Sequence, residues 1–294
     1  MFRSDEAEVN WGGWLSTSAG AWRSAPATFD LDPSPMTGTD LHGQRALVCG
    51  ATQGIGRAVA MALAAQGARV TVLARKAEAL AQVVDALPGE GHRALPADLS
   101  DTAALEHAVG KALTDVPFTI LVNNAGGPPP GPAHRAVVPE FEQAFRLHLF
   151  AFHSLVRLVL PGMREAGHGR IVNIISTSVK QPLPDLGVSN TVRAAVANWA
   201  KTLANELGPW NITVNNVLPG ATATERLEAI IRTKAERTGA SEEEVAAHMR
   251  AEVPLRRFAR PEEVAAAVAF LAGPGGSYIS GINLPVDGGR TSSL

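Results

Sequence analysis

The stretch Arg45-Ala-Leu-Val-Cys49, Gly50-Ala-Thr-Gln-Gly54-Ile-Gly56 decides how the chain reads. Its first five residues are a short apolar run closed by a turn signal, which reads as a buried strand. The glycines then make a tight turn, and an Ala-rich stretch from about Gly56 to Gln66 follows as a helix. A strand, a glycine turn and a helix N-terminus in that order bring backbone N–H groups and a favourable dipole to one point, which suits a pyrophosphate. Gly50, Thr52, Gln53, Gly54, Ile55 and Gly56 are therefore candidate nucleotide-binding residues.

Outward from that turn, short apolar runs alternate with helical patterns. Strands are expected at 69–74, 92–95, 119–123, 169–175, 213–218 and 282–286. Helices are expected at 76–87, 102–113, 139–163, 190–207, 225–237, 241–250 and 261–272. This alternation predicts an α/β fold, a doubly wound parallel sheet covered on both faces, in a single domain over 41–294. Residues 1–40 differ: Trp11, Trp14 and Trp22 lie among Gly, Ser, Thr and Pro. They read as a flexible tail, with Met36 as a start of the core, or as an arm whose tryptophans dock on a subunit.

Composition narrows the function. Of 294 residues, 46% are hydrophobic and 18% charged, enough for a sizeable core. A net charge of −2 gives no electrostatic reason to expect nucleic acid. No run of about 18 uncharged apolar residues occurs, so no membrane span is expected. One cysteine, Cys49, excludes an internal disulfide and a Cys-rich zinc site, so no metal is expected and a reducing cytoplasm fits.

The spacing Gly-x3-Gly-x-Gly, with Asn123-Asn-Ala-Gly126 closing the fourth strand, resembles the short-chain dehydrogenase/reductase family. Gly169-Arg-Ile-Val-Asn-Ile-Ile-Ser176, Pro219-Gly220 with Thr222 and Thr224, Arg260-Pro-Glu-Glu-Val-Ala and Val286-Asp-Gly-Gly289 agree with it, so the likeness spans roughly residues 40–290. It implies a Rossmann-type fold and a nicotinamide cofactor. Asp98 and Leu99 would meet the adenine. Asn124, Ala125 and Gly126 would border the cofactor, and Pro219, Gly220, Thr222 and Thr224 would hold the nicotinamide carboxamide. A homodimer paired through the helices at 139–163 and 190–207, or a homotetramer formed further through the C-terminal strand, is also implied. Charge selects the cofactor: where an acid would bond a ribose 2′-OH, this chain has Arg75 and Lys76, which suit a 2′-phosphate and hence NADP(H).

The family's catalytic set is Asn, Ser, Tyr and Lys, and three of these positions differ. Ser176 is present, but thirteen residues on stands Ser189, and four further stands Arg193. The helix position of the asparagine reads Leu147-His148-Leu149, and the sole tyrosine, Tyr278, is remote in sequence. A serine hydroxyl is a weaker acid than a phenol of pKa about 10. Arginine stays protonated and relays no proton, although it can bind ribose hydroxyls. Acid–base catalysis contributes about 10²–10⁴-fold, so another donor is needed. His148 is the candidate that titrates near neutrality, against a plain packing role. Lys180, Asp185 and His134 are loop residues that could reach the pocket, against simple solvation. The charged region 225–259 reads as a lid, with Met249, Leu255 and Phe258 lining a pocket or packing. Three readings follow: an NADP(H)-dependent oxidoreductase on a small carbonyl, imine or enone; a non-redox lyase, aldolase, isomerase or cyclase on the same fold; or a catalytically silent nucleotide-binding protein.

Overall fold

The computed structural model describes residues 40–113 and 117–293. The expected extension, including its three tryptophans, lies outside the described residues. A parallel sheet runs β3-β2-β1-β4-β5-β6-β7, built from Arg45–Cys49 (β1), Arg69–Ala74 (β2), Arg93–Pro96 (β3), Ile120–Asn123 (β4), Gly169–Ile174 (β5), Ile212–Pro219 (β6) and Asn283–Val286 (β7). The order reverses between β1 and β4, which opens a crevice at the carboxyl ends of those two strands.

Strand side chains alternate between two cores. Leu47, Cys49 and Leu121 enter one, while Ala46, Val48, Ile120 and Val122 enter the other. Both faces are therefore dry, which is why these strands read as unbroken apolar runs. Gly54–Ala65 (α1), Ala77–Ala86 (α2) and Pro261–Ala272 (α9) cover one face; Thr102–Ala112 (α3), Ala151–Glu165 (α5) and Gly187–Leu207 (α6) cover the other. In α1 the buried residues Gly56, Val59, Ala60, Leu63 and Ala64 follow the helical repeat and form the stripe that meets α9.

Four asparagines fix the register of β4 to β7. Asn123 pairs in register with Asn173, Asn173 with Asn216, and Asn216 with Asn283. Their side-chain amides bond in sequence: each Nδ2 donates to the next Oδ1, at 2.8, 2.9 and 2.8 Å. A slip of one residue would break this row and turn the apolar set to the wrong face.

Two helices depart from expectation. The long helix runs from Val138 to Glu165 as Val138–Phe145 (α4), a π segment Arg146–Phe150, and α5. The widened turn holds His148 in its middle, a common device near functional sites. By length and hydropathy this helix could cross a bilayer, but it packs on α3, β4 and β5 and is partly buried in the core. Helix α6 begins at Gly187, earlier than the expected 190, because the Asn190 amide donates to the Leu183 carbonyl at 2.8 Å and ties down the preceding loop. Ser189 therefore lies inside the first turn of α6.

The region expected to form a lid is two helices, Glu225–Thr238 (α7) and Glu242–Ala251 (α8), with a small core of their own. Met249 and Phe258 pack against that core, while Leu255 is exposed.

Candidate active site

The glycine turn bridges the crevice between β1 and β4. Gly50 has a left-handed φ of 58°, and a Cβ there would lie 2.8 Å from Asn124. A Cβ on Gly56 would lie 2.1 Å from the Gly50 carbonyl oxygen, so only hydrogen fits. Asn124 holds the turn from the other side: its Nδ2 lies 3.2 Å from the carbonyl oxygens of both Cys49 and Gly50. Ala125 beside it is buried and Gly126 is exposed. Ile55 packs partly into the sheet core.

The segment after β6 comes over the same turn. Pro219 ends the strand, and the Gly220 N–H donates to Val286 O at 3.0 Å. Thr222 is buried and its hydroxyl donates to Gly220 O at 3.1 Å. Thr224 caps α7, and its methyl sits 3.2 Å from where a Gly54 Cβ would be.

Asp98 follows β3 and accepts from the N–H and the hydroxyl of Ser100, both at 2.8 Å. Ser100 is the main reason its carboxyl stays below the usual range, with the charge of Arg75 assisting. Arg75 and Lys76 are exposed at the end of β2, and Leu99 is buried. A cleft of about 370 Å³ opens beside Thr52, Gln53 and Gly54, with Arg57, Gln82 and Glu225 also on its walls.

The other half of the site is organised around α6. Ser189 and Arg193 are one turn apart and face the same way. Arg193 is buried, and its Nη1 donates to Ile174 O at 3.0 Å, at the end of β5. Its Nε has no partner. Burial, with the charge of Arg226 adding, lowers its pKa to about 10, so it remains a cation near neutrality. Ser176 accepts from the Ser178 N–H at 3.1 Å, which leaves its own hydrogen available to a ligand. His148 is fully buried and stacks edge-on to Phe152 at 5.8 Å; the Gly126 backbone is the polar group beside its ring, outside good hydrogen-bond geometry. Burial first, then the charge of Arg193, holds it well below the ordinary histidine pKa, so its ring is neutral.

The remaining candidates are dispersed. Asp185 pairs with Arg237 of α7 at 2.8 Å, so it ties the loop before α6 to that helix. Lys180 follows the turn after Ser176, and His134 is exposed. Tyr278 is fully exposed and supplies no group to the pocket of its own chain. Burial pushes the Cys49 thiol up to about 12, so it is no nucleophile.

Sequence reasoning missed two arginines. Arg57 lines the cleft beside the glycine turn. Arg226, in the first turn of α7, donates to Pro128 O at 2.7 Å. It also brings a terminal nitrogen to 3.6 Å from where a Gly127 Cβ would sit, the same distance as a terminal nitrogen of Arg193. Arg226 carried no signal, since α7 bears charges all along its length.

Comparison with known proteins agrees with this geometry. The family described as enoyl-(acyl carrier protein) reductase matches residues 50–291. The chain is 33% identical over 260 residues to 7alpha-hydroxysteroid dehydrogenase of Escherichia coli strain K12, covering 86% of this chain and 96% of that one. It superposes on L-sorbose reductase from Gluconobacter frateurii, solved with NADPH and L-sorbose, with a TM-score of 0.81 at 28% identity, covering 87% and 99%. It also superposes on 3-ketoacyl-(acyl-carrier-protein) reductase from Brucella melitensis, solved with NADH, with a TM-score of 0.75 at 31% identity, covering 86% and 100%.

Proposed function

Because the chain belongs to the short-chain dehydrogenase/reductase family, we propose that it is an NADP(H)-dependent oxidoreductase acting on a small carbonyl, imine or enone with a proton donor other than tyrosine. The observation that carries this reading is the cradle at Gly50 and Gly56, whose missing side chains leave the backbone open at the start of α1. That opening fits a dinucleotide diphosphate. Asn124, Ala125 and Gly126 would border the nicotinamide side, Thr222 and Thr224 the carboxamide, and Asp98 with Leu99 the adenine. Arg75 and Lys76, with Arg57 on the cleft beside the glycine turn, favour a 2′-phosphate, and no acid stands at 74–76 to select a ribose hydroxyl.

A nicotinamide held in this cradle would supply or accept the hydride. The protein's own groups do the rest. Ser176 donates its free hydrogen to the substrate oxygen or nitrogen. Arg193, fixed by the Ile174 carbonyl, would donate to ribose hydroxyls and place a positive charge beside the reacting centre. Ser189, one turn before it, passes a proton through water. His148, being neutral, offers one N–H and one acceptor but no acidic proton at pH 7. Such a set suits substrates that need little acid assistance. This reading includes a cytoplasmic homo-oligomer; pairing through Val138–Glu165 and α6 accords with the exposed Val137 and Val138 at the N-terminal end of that helix and Phe150 midway along it.

The first experiment is a fluorescence titration with NADPH and with NADH. NADPH is expected to bind about tenfold tighter or more, as a charge-assisted phosphate contact implies; failure of both to bind ends the redox reading. The second is the double substitution Ser189→Tyr with Arg193→Lys. It is expected to raise ketone reduction by about 10²-fold, the scale of one acid–base group. No gain on any simple ketone would mean that the site differs in more than its acid. Turnover of a substrate with no net change in cofactor would favour the lyase-type alternative.

A further inference from the structure

We propose that the substrate of this site carries a carboxylate, held between the guanidinium groups of Arg193 and Arg226 above Gly127. The inference rests on the oxidoreductase reading of the same site and names its substrate class. Three observations carry it. First, the two arginines converge: a terminal nitrogen of each lies 3.6 Å from the point a Gly127 Cβ would occupy, so the two nitrogens are at most twice that distance apart. Glycine at 127 leaves that point open.

Second, neither guanidinium forms an ion pair with any carboxylate among the described residues. Their protein partners are two backbone carbonyls, Ile174 O for Arg193 and Pro128 O for Arg226. Two close cations without an anion repel each other, and burial strengthens that repulsion. Third, polar atoms around them are under-satisfied: Arg193 Nε has no partner, and the His148 ring has only the Gly126 backbone beside it, outside good hydrogen-bond geometry. Buried polar atoms of this kind are normally satisfied, so their clustering points to a ligand.

A carboxylate fits better than a larger anion. Arg193 is only 7% exposed, which favours a small flat group. One anion shared by two guanidiniums can give each an oxygen, in the planar geometry that arginine matches well. The diphosphate of the cofactor is the other source of negative charge, but its cradle at Gly50–Gly56 has its own backbone donors.

The test uses the full chain saturated with NADPH. Pyruvate, acetoacetate, 4-oxopentanoate and phenylpyruvate, and the methyl ester of each, are titrated against nicotinamide fluorescence. At least one acid is expected to bind about tenfold tighter than its own ester. In Arg226→Gln that preference is expected to fall below about threefold, and in Arg226→Lys to return in part, while NADPH affinity stays within about threefold of the parent. Failure of every acid to outbind its ester in the parent chain overturns the inference. So does an Arg226→Gln chain that keeps the preference. A loss of NADPH affinity by about tenfold in that variant also overturns it, because the pair would then serve the diphosphate. If the parent chain does not bind NADPH at all, it is the oxidoreductase reading that fails. The acids and esters are then compared by thermal shift on the nucleotide-free protein: stabilisation by an acid over its ester supports the carboxylate site, and its absence overturns it.

Discussion

The two halves of the site are built on opposite terms. At the glycine cradle the polar groups mostly satisfy one another: Asn124 bonds the Cys49 and Gly50 carbonyls and Asp98 bonds Ser100, while Asn123 Oδ1 behind it is left over. Around β5, α6 and α7 more are left over: Arg193 Nε and the buried Ser178 hydroxyl have no partner, and the His148 ring has only the Gly126 backbone beside it. The first half is finished before a ligand arrives, and its shape comes from the backbone. The second is completed by what binds, and its character comes from side chains. A cradle made of main chain changes little between proteins of different chemistry, whereas a handful of side chains can be exchanged on a constant scaffold.

The strongest way to break this contrast is Gly56→Ala. A methyl group 2.1 Å from the Gly50 oxygen forces the backbone to move. The variant is expected to lose about 3–5 kcal/mol of stability and all NADPH binding, as read by thermal melting and titration. A melting point within about 2 °C of the parent would mean that the cradle yields easily. Next comes Arg75→Glu, which leaves the backbone cradle intact and alters only what it selects. NADPH affinity is expected to fall about 100-fold, with NADH affinity changed far less. Equal losses for both nucleotides would remove Arg75 from the phosphate site.

The smallest effect lies in the other half and is read through pH. His148 is held neutral in the folded chain, so its folded pKa lies below that of the unfolded chain, about 6.5. Above that pH neither state is protonated there and the residue adds no pH dependence. Below it the unfolded chain takes a proton that the folded chain refuses. Stability should then fall by about 1.4 kcal/mol per pH unit from this residue alone. His148→Asn should flatten that slope in chemical denaturation at pH 5 to 7; an unchanged slope would place the acid sensitivity elsewhere.

How much of this was legible follows from the same contrast. Gly50, Gly54 and Gly56 could be read because the turn admits no other residue type, and β1 because a strand buried on both faces is an unbroken apolar run. Ser189 and Arg193 stood out as departures from a pattern, and α6 does place them one turn apart. The neutrality of His148 was not legible, since it depends on burial and on a cation 45 positions away in sequence. Arg226 was hidden for a similar reason: on a helix charged along its whole length, only folding shows which arginine turns inward. The π segment at 146–150 also has no sequence mark, because one helical hydrogen-bond pattern differs from the other by a single residue.

The asparagine row across β4 to β7 has an electrical consequence. Parallel strands carry little net dipole across a sheet, but these four amides all point the same way, nitrogen toward β7. Their dipoles add head to tail. The negative end is the Asn123 Oδ1, buried and unmatched, one residue before the asparagine that spans the crevice. The inner amides, Asn173 and Asn216, cannot turn over singly, since reversing one sets donor against donor on one side and acceptor against acceptor on the other. The sheet therefore has a built-in polarity along its width, switchable only as a whole, with its negative pole at the floor of the site.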